Sequence, residues 1–76
     1  MKENRVDATG LACPLPILRA RRALNELPAG ATLIVLATDP VALDDFPAFC
    51  EQAGHVLVEH TVGPDGVLRF VLRKAG

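Results

Sequence analysis

The chain has 76 residues, half of them apolar and 22% charged, with a formal net charge of −1. That length suffices for one domain with a thin core and excludes a second domain with a cleft between the two, while the apolar share excludes a disordered or fibrous chain. Near-neutral charge, three Phe and no Trp or Tyr leave little from which to build base-stacking platforms, so no direct nucleic-acid binding is expected.

The chain reads as a single domain over residues 1–76, without repeats or linkers. Arg5 to Ala8 puts Val6 and Ala8 on one face at strand period, and Thr9-Gly10 supplies a turn. From Cys13 to Leu27, Ile17, Ala20, Leu24 and Leu27 recur at helical spacing, and Pro28 and Gly30 stop the helix. The continuous apolar run within Thr32 to Thr38 suits an interior strand at the centre of a sheet. It is far too short to span a membrane. Asp39-Pro40 opens a helical turn, but Pro47 disfavours α geometry at Phe46, which predicts a break before a second helix over Ala48 to Ala53 that ends at Gly54. His55 to Val62 and Val67 to Lys74 form a hairpin around Gly63-Pro64-Asp65-Gly66. The order β-α-β-α-β-β predicts an α+β fold: a two-layer sandwich in which both helices cover one face of a four-stranded mixed sheet.

The chemistry concentrates at Cys13-Pro14-Leu15-Pro16. Proline is tolerated in a first helical turn, where N–H groups lack intrahelical acceptors, so these prolines define a helix start. With Pro14 as the first helical residue, Cys13 becomes the N-cap. Its sulfur then lies near the positive end of the helix dipole, and only the Leu15 amide remains to bond it, because Pro16 removes the other donor. The expectation is a partly exposed thiol with a pKa moderately below the roughly 8.5 of free cysteine, suited to exchange. The ordinary alternative is a passive buried cysteine.

These residues carry a resemblance. Asp7 to Pro16, with its Cys-Pro-x-Pro motif, together with Arg21-Arg22-Ala23-Leu24, Gly30 and Leu33, Asp39-Pro40 and Asp45-Phe46-Pro47, resembles the TusA-like (SirA-like) sulfur carriers over nearly the whole chain. The resemblance implies that Cys13 accepts sulfane sulfur as a persulfide from a cysteine desulfurase or rhodanese-type donor. A downstream acceptor protein then receives it, with tRNA thiolation, molybdenum-cofactor enzymes and sulfur oxidation as destinations in the family. Such a carrier relies on its partners for catalysis and needs no cofactor beyond the covalent persulfide. Many members have a second Asp where this chain has Thr38.

Other features weigh less. Cys50 shares a predicted inward helix face with Phe46, Phe49 and Ala53 and reads as core. His55 and His60, an odd number of residues apart, should point to opposite faces of a strand, and no zinc spacing surrounds them, so no metal site is expected. Asp45 reads as a cap before Phe46-Pro47. Arg19, Arg21 and Arg22 form a cationic side of the first helix, ordinarily a solvated face but also a docking surface for an acidic partner near Cys13. Two cysteines without a secretory signal suggest a reducing, cytoplasmic setting. A thiol-redox or regulatory module using Cys13 is the alternative function, and it would want a resolving cysteine nearby.

Overall fold

A computed structural model describes residues 4–75. Their elements are β1 (Asn4–Ala8), α1 (Leu15–Asn25), β2 (Thr32–Ala37), α2 (Ala42–Ala53), β3 (Val56–Val62) and β4 (Leu68–Arg73). The expected order and the α+β sandwich are observed: the strands lie in the order β1-β2-β4-β3. β1 runs parallel to β2, and β4 is antiparallel to both β2 and β3.

Strand alternation sets the core. Val6, Val35 and Phe70 lie in one row across β1, β2 and β4, while Ala8, Ala37 and Leu68 form the next. These residues pack with Ile17, Ala20 and Leu24 of α1 and Phe46, Phe49 and Cys50 of α2, so both helices cover the same sheet face. β2 is buried on both faces, as its unbroken apolar run requires: Leu33 and Val35 belong to that core, while Ile34 is buried beside its register partner Val71 on the other face. The hairpin turn places Pro64 second, closed by the Gly66 amide on the Gly63 carbonyl at 3.0 Å, and Gly66 adopts φ +82°.

Two expectations fail. α2 is continuous through Pro47, with no break before Ala48. An interior proline costs about 3 kcal/mol, but burying Phe46 and Phe49 on the helix's inner side contributes roughly 1.5–3 kcal/mol each. The Phe46 ring stacks on Phe70 at 4.4 Å between centroids, while Pro47 faces solvent. Packing therefore overrides the local preference. The histidines also share a face. An irregularity between Leu57 and Glu59 adds a residue to β3, so that His55 meets Phe49 at 5.7 Å and His60 meets Phe70 at 6.2 Å, both on the helix side.

Candidate thiol site

The site is assembled where the chain leaves β1 and β2. Asp7 Oδ1 accepts hydrogen bonds from the Thr9 amide (3.0 Å) and hydroxyl (2.6 Å), turning the chain sharply after the strand. Gly10, at φ +78°, completes the turn in a region where a side chain would be strained. Its amide donates to Thr38 Oγ1 at 2.8 Å. Thr38 thus ties the two loops together through a neutral hydroxyl.

The next link fixes Cys13 itself. Its backbone N–H donates to Asp39 Oδ2 at 2.9 Å, while Asp39 Oδ1 accepts the Val41 N–H at 3.0 Å. One carboxylate therefore holds the thiol loop and starts the turn that leads into α2. Both bonds favour the ionised form, and Asp39 lies below the usual carboxylate range because of them, the Cys13 amide first and the Val41 amide second.

Cys13 is half-buried, and it does not cap α1. The N-cap is Pro14, Leu15 is the first helical residue, and no side chain bonds the helix start. The Leu15 amide, the donor expected for the sulfur, goes instead to the Ala12 carbonyl at 3.0 Å. The Cys13–Pro14 peptide is cis. Exposed Leu15 and buried Pro16 then carry the chain into the helix.

The electrostatics reverse the sequence-based expectation. The Cys13 thiol is pushed up to about 11, first by burial and then by a hydrogen bond to the Asp45 carboxylate and the negative charges of Asp45 and Asp39. With the thiol outside the helix and two carboxylates beside it, the dipole's contribution is outweighed. Asp45, read from sequence as a cap, is the fourth residue of a continuous α2, and its charge acts to keep the thiol protonated. Its only sequence signal is an Asp one helical turn into an element that starts beside Asp39.

The other candidates separate. Leu15, Leu18, Arg19 and Arg22 recur at i, i+3, i+4 and i+7 and line a shallow depression of about 400 Å³ beside the thiol loop. Arg21 faces elsewhere, with its guanidinium over the Phe49 ring at 5.6 Å, linking α1 to α2. Cys50 is free, 3% exposed and within the core, and burial raises its pKa. His55 is held by the Ala75 amide, which donates to its Nδ1 at 2.9 Å. Among the described residues no group of three or more His, Cys, Asp or Glu is placed to hold a metal, and no helix is long and apolar enough to cross a membrane.

A family model described as sulfurtransferase TusA matches residues 4–74. The chain belongs to the TusA family. Among family relatives, the sulfur carrier protein TusA of Allochromatium vinosum is 44% identical over 73 residues, covering 96% of this chain and 95% of that protein. A protein of Neisseria meningitidis named as a candidate sulfur carrier is 51% identical over 73 residues, covering 96% and 97%. The family's fold is shared with the crystal structure of a SirA-like protein from Desulfitobacterium hafniense, at a TM-score of 0.83 and 29% identity over 95% of this chain and 97% of that one.

Proposed function

We propose that the protein is a sulfur carrier: Cys13 accepts sulfane sulfur as a persulfide from a cysteine desulfurase or rhodanese-type donor and hands it to an acceptor protein. The receiving pathway is biosynthetic or part of sulfur metabolism, such as tRNA thiolation. The observation that carries this reading is the placement of the thiols. Cys13 is half-exposed where the loops ahead of both helices meet, whereas Cys50 is sealed in the core. A cytoplasmic setting keeps such a thiol reduced between transfers. The persulfide is the only prosthetic chemistry required, and the donor and acceptor supply the remaining catalytic groups. A redox module would need a resolving thiol, and a core cysteine does not favour that reading.

The depression formed by Leu15, Leu18, Arg19 and Arg22 supports a docking face that suits a partner with an acidic rim and apolar contacts. Arg21, committed to Phe49, contributes mainly by holding α1 against α2.

Loading by a desulfurase with cysteine, or by a rhodanese with thiosulfate, tests the assignment by the added mass of one sulfur atom. Cys13→Ser should abolish loading and keep the native circular dichroism spectrum; normal loading of that variant would refute the assignment. Arg19→Glu with Arg22→Glu should slow loading at low salt, with less effect once charges are screened beyond about 8 Å at physiological strength. Reaction of Cys13 with a small neutral thiol reagent should not change.

A further inference from the structure

The loop that carries Cys13 is held by two consecutive side chains of a different loop. Thr38 Oγ1 accepts the Gly10 N–H at 2.8 Å, and Asp39 Oδ2 accepts the Cys13 N–H at 2.9 Å. Both bonds run from the β1–α1 loop to the β2–α2 connection, and the one at Cys13 is partly sheltered from water. The loop does not hold this amide by itself. Leu15 N–H closes a turn on the Ala12 carbonyl at 3.0 Å, a turn that contains Cys13 without using its N–H, and no side chain caps α1. Asp39 is in turn fixed at its other oxygen, Oδ1, by the Val41 N–H at 3.0 Å, so the anchor does not swing freely. A bond to a carboxylate is also stronger than one between neutral groups.

We propose that Thr38 and Asp39 are positioning residues for sulfur transfer: their paired bonds hold the Cys13 backbone in the conformation in which the thiol meets a donor's sulfane sulfur. The proposal rests on the sulfur-carrier reading. In the transfer, Cys13 as its thiolate attacks the sulfane sulfur of the donor persulfide and forms the new S–S bond. The donor's own S–S bond breaks, and its cysteine sulfur leaves with the electron pair and takes up the proton that Cys13 gave up. No oxidant or reductant is needed. The attacking, transferred and leaving sulfurs must come into line, so a loop that is already ordered spares the encounter the entropy of ordering it. That saving acts on the rate of transfer, whereas docking uses the separate surface of Leu15, Leu18, Arg19 and Arg22 on α1.

The two jobs of Asp39 can be separated. In Asp39→Ser the hydroxyl still accepts the Val41 N–H two residues on, as serine does in such turns, but a single shorter oxygen does not reach Cys13 as well. Thr38→Val removes the bond to Gly10 at nearly constant shape, and Thr38→Ser restores it.

Two measurements on the full chain test the proposal. Amide hydrogen exchange needs no donor: the Gly10 and Cys13 amides should be protected in the wild type, with protection lost at Cys13 in Asp39→Ser and at Gly10 in Thr38→Val, and regained in Thr38→Ser. Loading by a desulfurase with cysteine is then followed against carrier concentration, well below the Tm of each variant. Asp39→Ser should lower kcat about tenfold and Thr38→Val roughly threefold, with KM for the carrier within about twofold of wild type and kcat recovered in Thr38→Ser. Alkylation of Cys13 by iodoacetamide should not slow in any variant, because a small reagent attacks without alignment by a partner. An unprotected Cys13 amide in the wild type, an unchanged kcat in Asp39→Ser and Thr38→Val, or a loss confined to KM would overturn the proposal and leave the carrier reading intact. If Asp39→Ser does not fold, the Thr38→Val and Thr38→Ser pair decides by the same criteria. Failure of the wild type to load from either a desulfurase or a rhodanese would instead overturn the carrier reading, and the proposal with it.

Discussion

Both helices are entered through a residue-proline step, Cys13-Pro14 before α1 and Asp39-Pro40 before α2, yet the two starts do opposite work. The α2 side supplies the acceptor: Asp39 binds the Val41 amide of its own turn and the Cys13 amide of the other loop. The α1 side has no side-chain cap and no acidic residue in its first turn. A carboxylate that serves two amides makes a poor nucleophile and a good anchor. A thiol bonds amides weakly, so it serves poorly as such an anchor. The thiol-bearing start is thus held in place by the other one.

Removing the anchor should disturb the molecule most. Asp39→Ala leaves the Cys13 and Val41 amides without their acceptor and should lower Tm more than either Pro16→Ala or Cys13→Ser. The pH dependence has a definite sign. Asp39 titrates lower when folded than when unfolded, so its contribution is present above the ordinary carboxylate value and lost as pH falls through its own lower one. Asp7, lowered by the Thr9 hydroxyl and amide, acts in the same direction, so Asp39→Ala should flatten only part of the acid transition measured by thermal melts.

A smaller effect tests what the prolines contribute. The Pro16 side chain is fully buried, and Pro16→Ala should cost about 1–2 kcal/mol in denaturant unfolding. Because the sulfur is not the cap, the restored amide should leave the Cys13 titration midpoint unmoved. A downward shift would restore the helix-dipole view of this thiol.

The mildest change is expected at alkaline pH. Cys13 titrates higher when folded, at about 11, so its stabilising contribution is complete below the unfolded value near 8.5 and lost as pH rises through the folded one. Tm should decline gradually across that interval. Cys13→Ser should reduce the slope without abolishing it, since buried Cys50 contributes with the same sign.

Secondary structure was legible wherever one periodicity dominated. The apolar stripe of Ile17, Ala20 and Leu24, the unbroken run of β2 and the Gly63 to Gly66 turn each had one local reading. The α2 break predicted at Pro47 failed because the cost of proline is local, whereas the Phe46–Phe70 contact that offsets it joins residues 24 apart in the chain. The site was half legible: Cys13 stood out through its prolines, but Asp45 looked like a cap because nothing in a one-dimensional pattern couples it to a residue in the loop ahead of another helix. The bulge in β3 defeated a simple odd-even count for His55 and His60.

Residue type and spacing suffice for the order of the elements and the choice of apolar faces, and they single out Cys13 over Cys50 as the candidate thiol. Three features arise only once the chain is packed: β4 lies between β2 and β3, Arg21 turns away from Arg19 and Arg22 to Phe49, and Cys13 feels carboxylates rather than capping a helix. The two sets differ in range. Backbone propensity acts over a few residues, whereas a thiol's protonation follows the charges and burial within a few ångströms in space, and here those charges come from a second helix and the loop ahead of it.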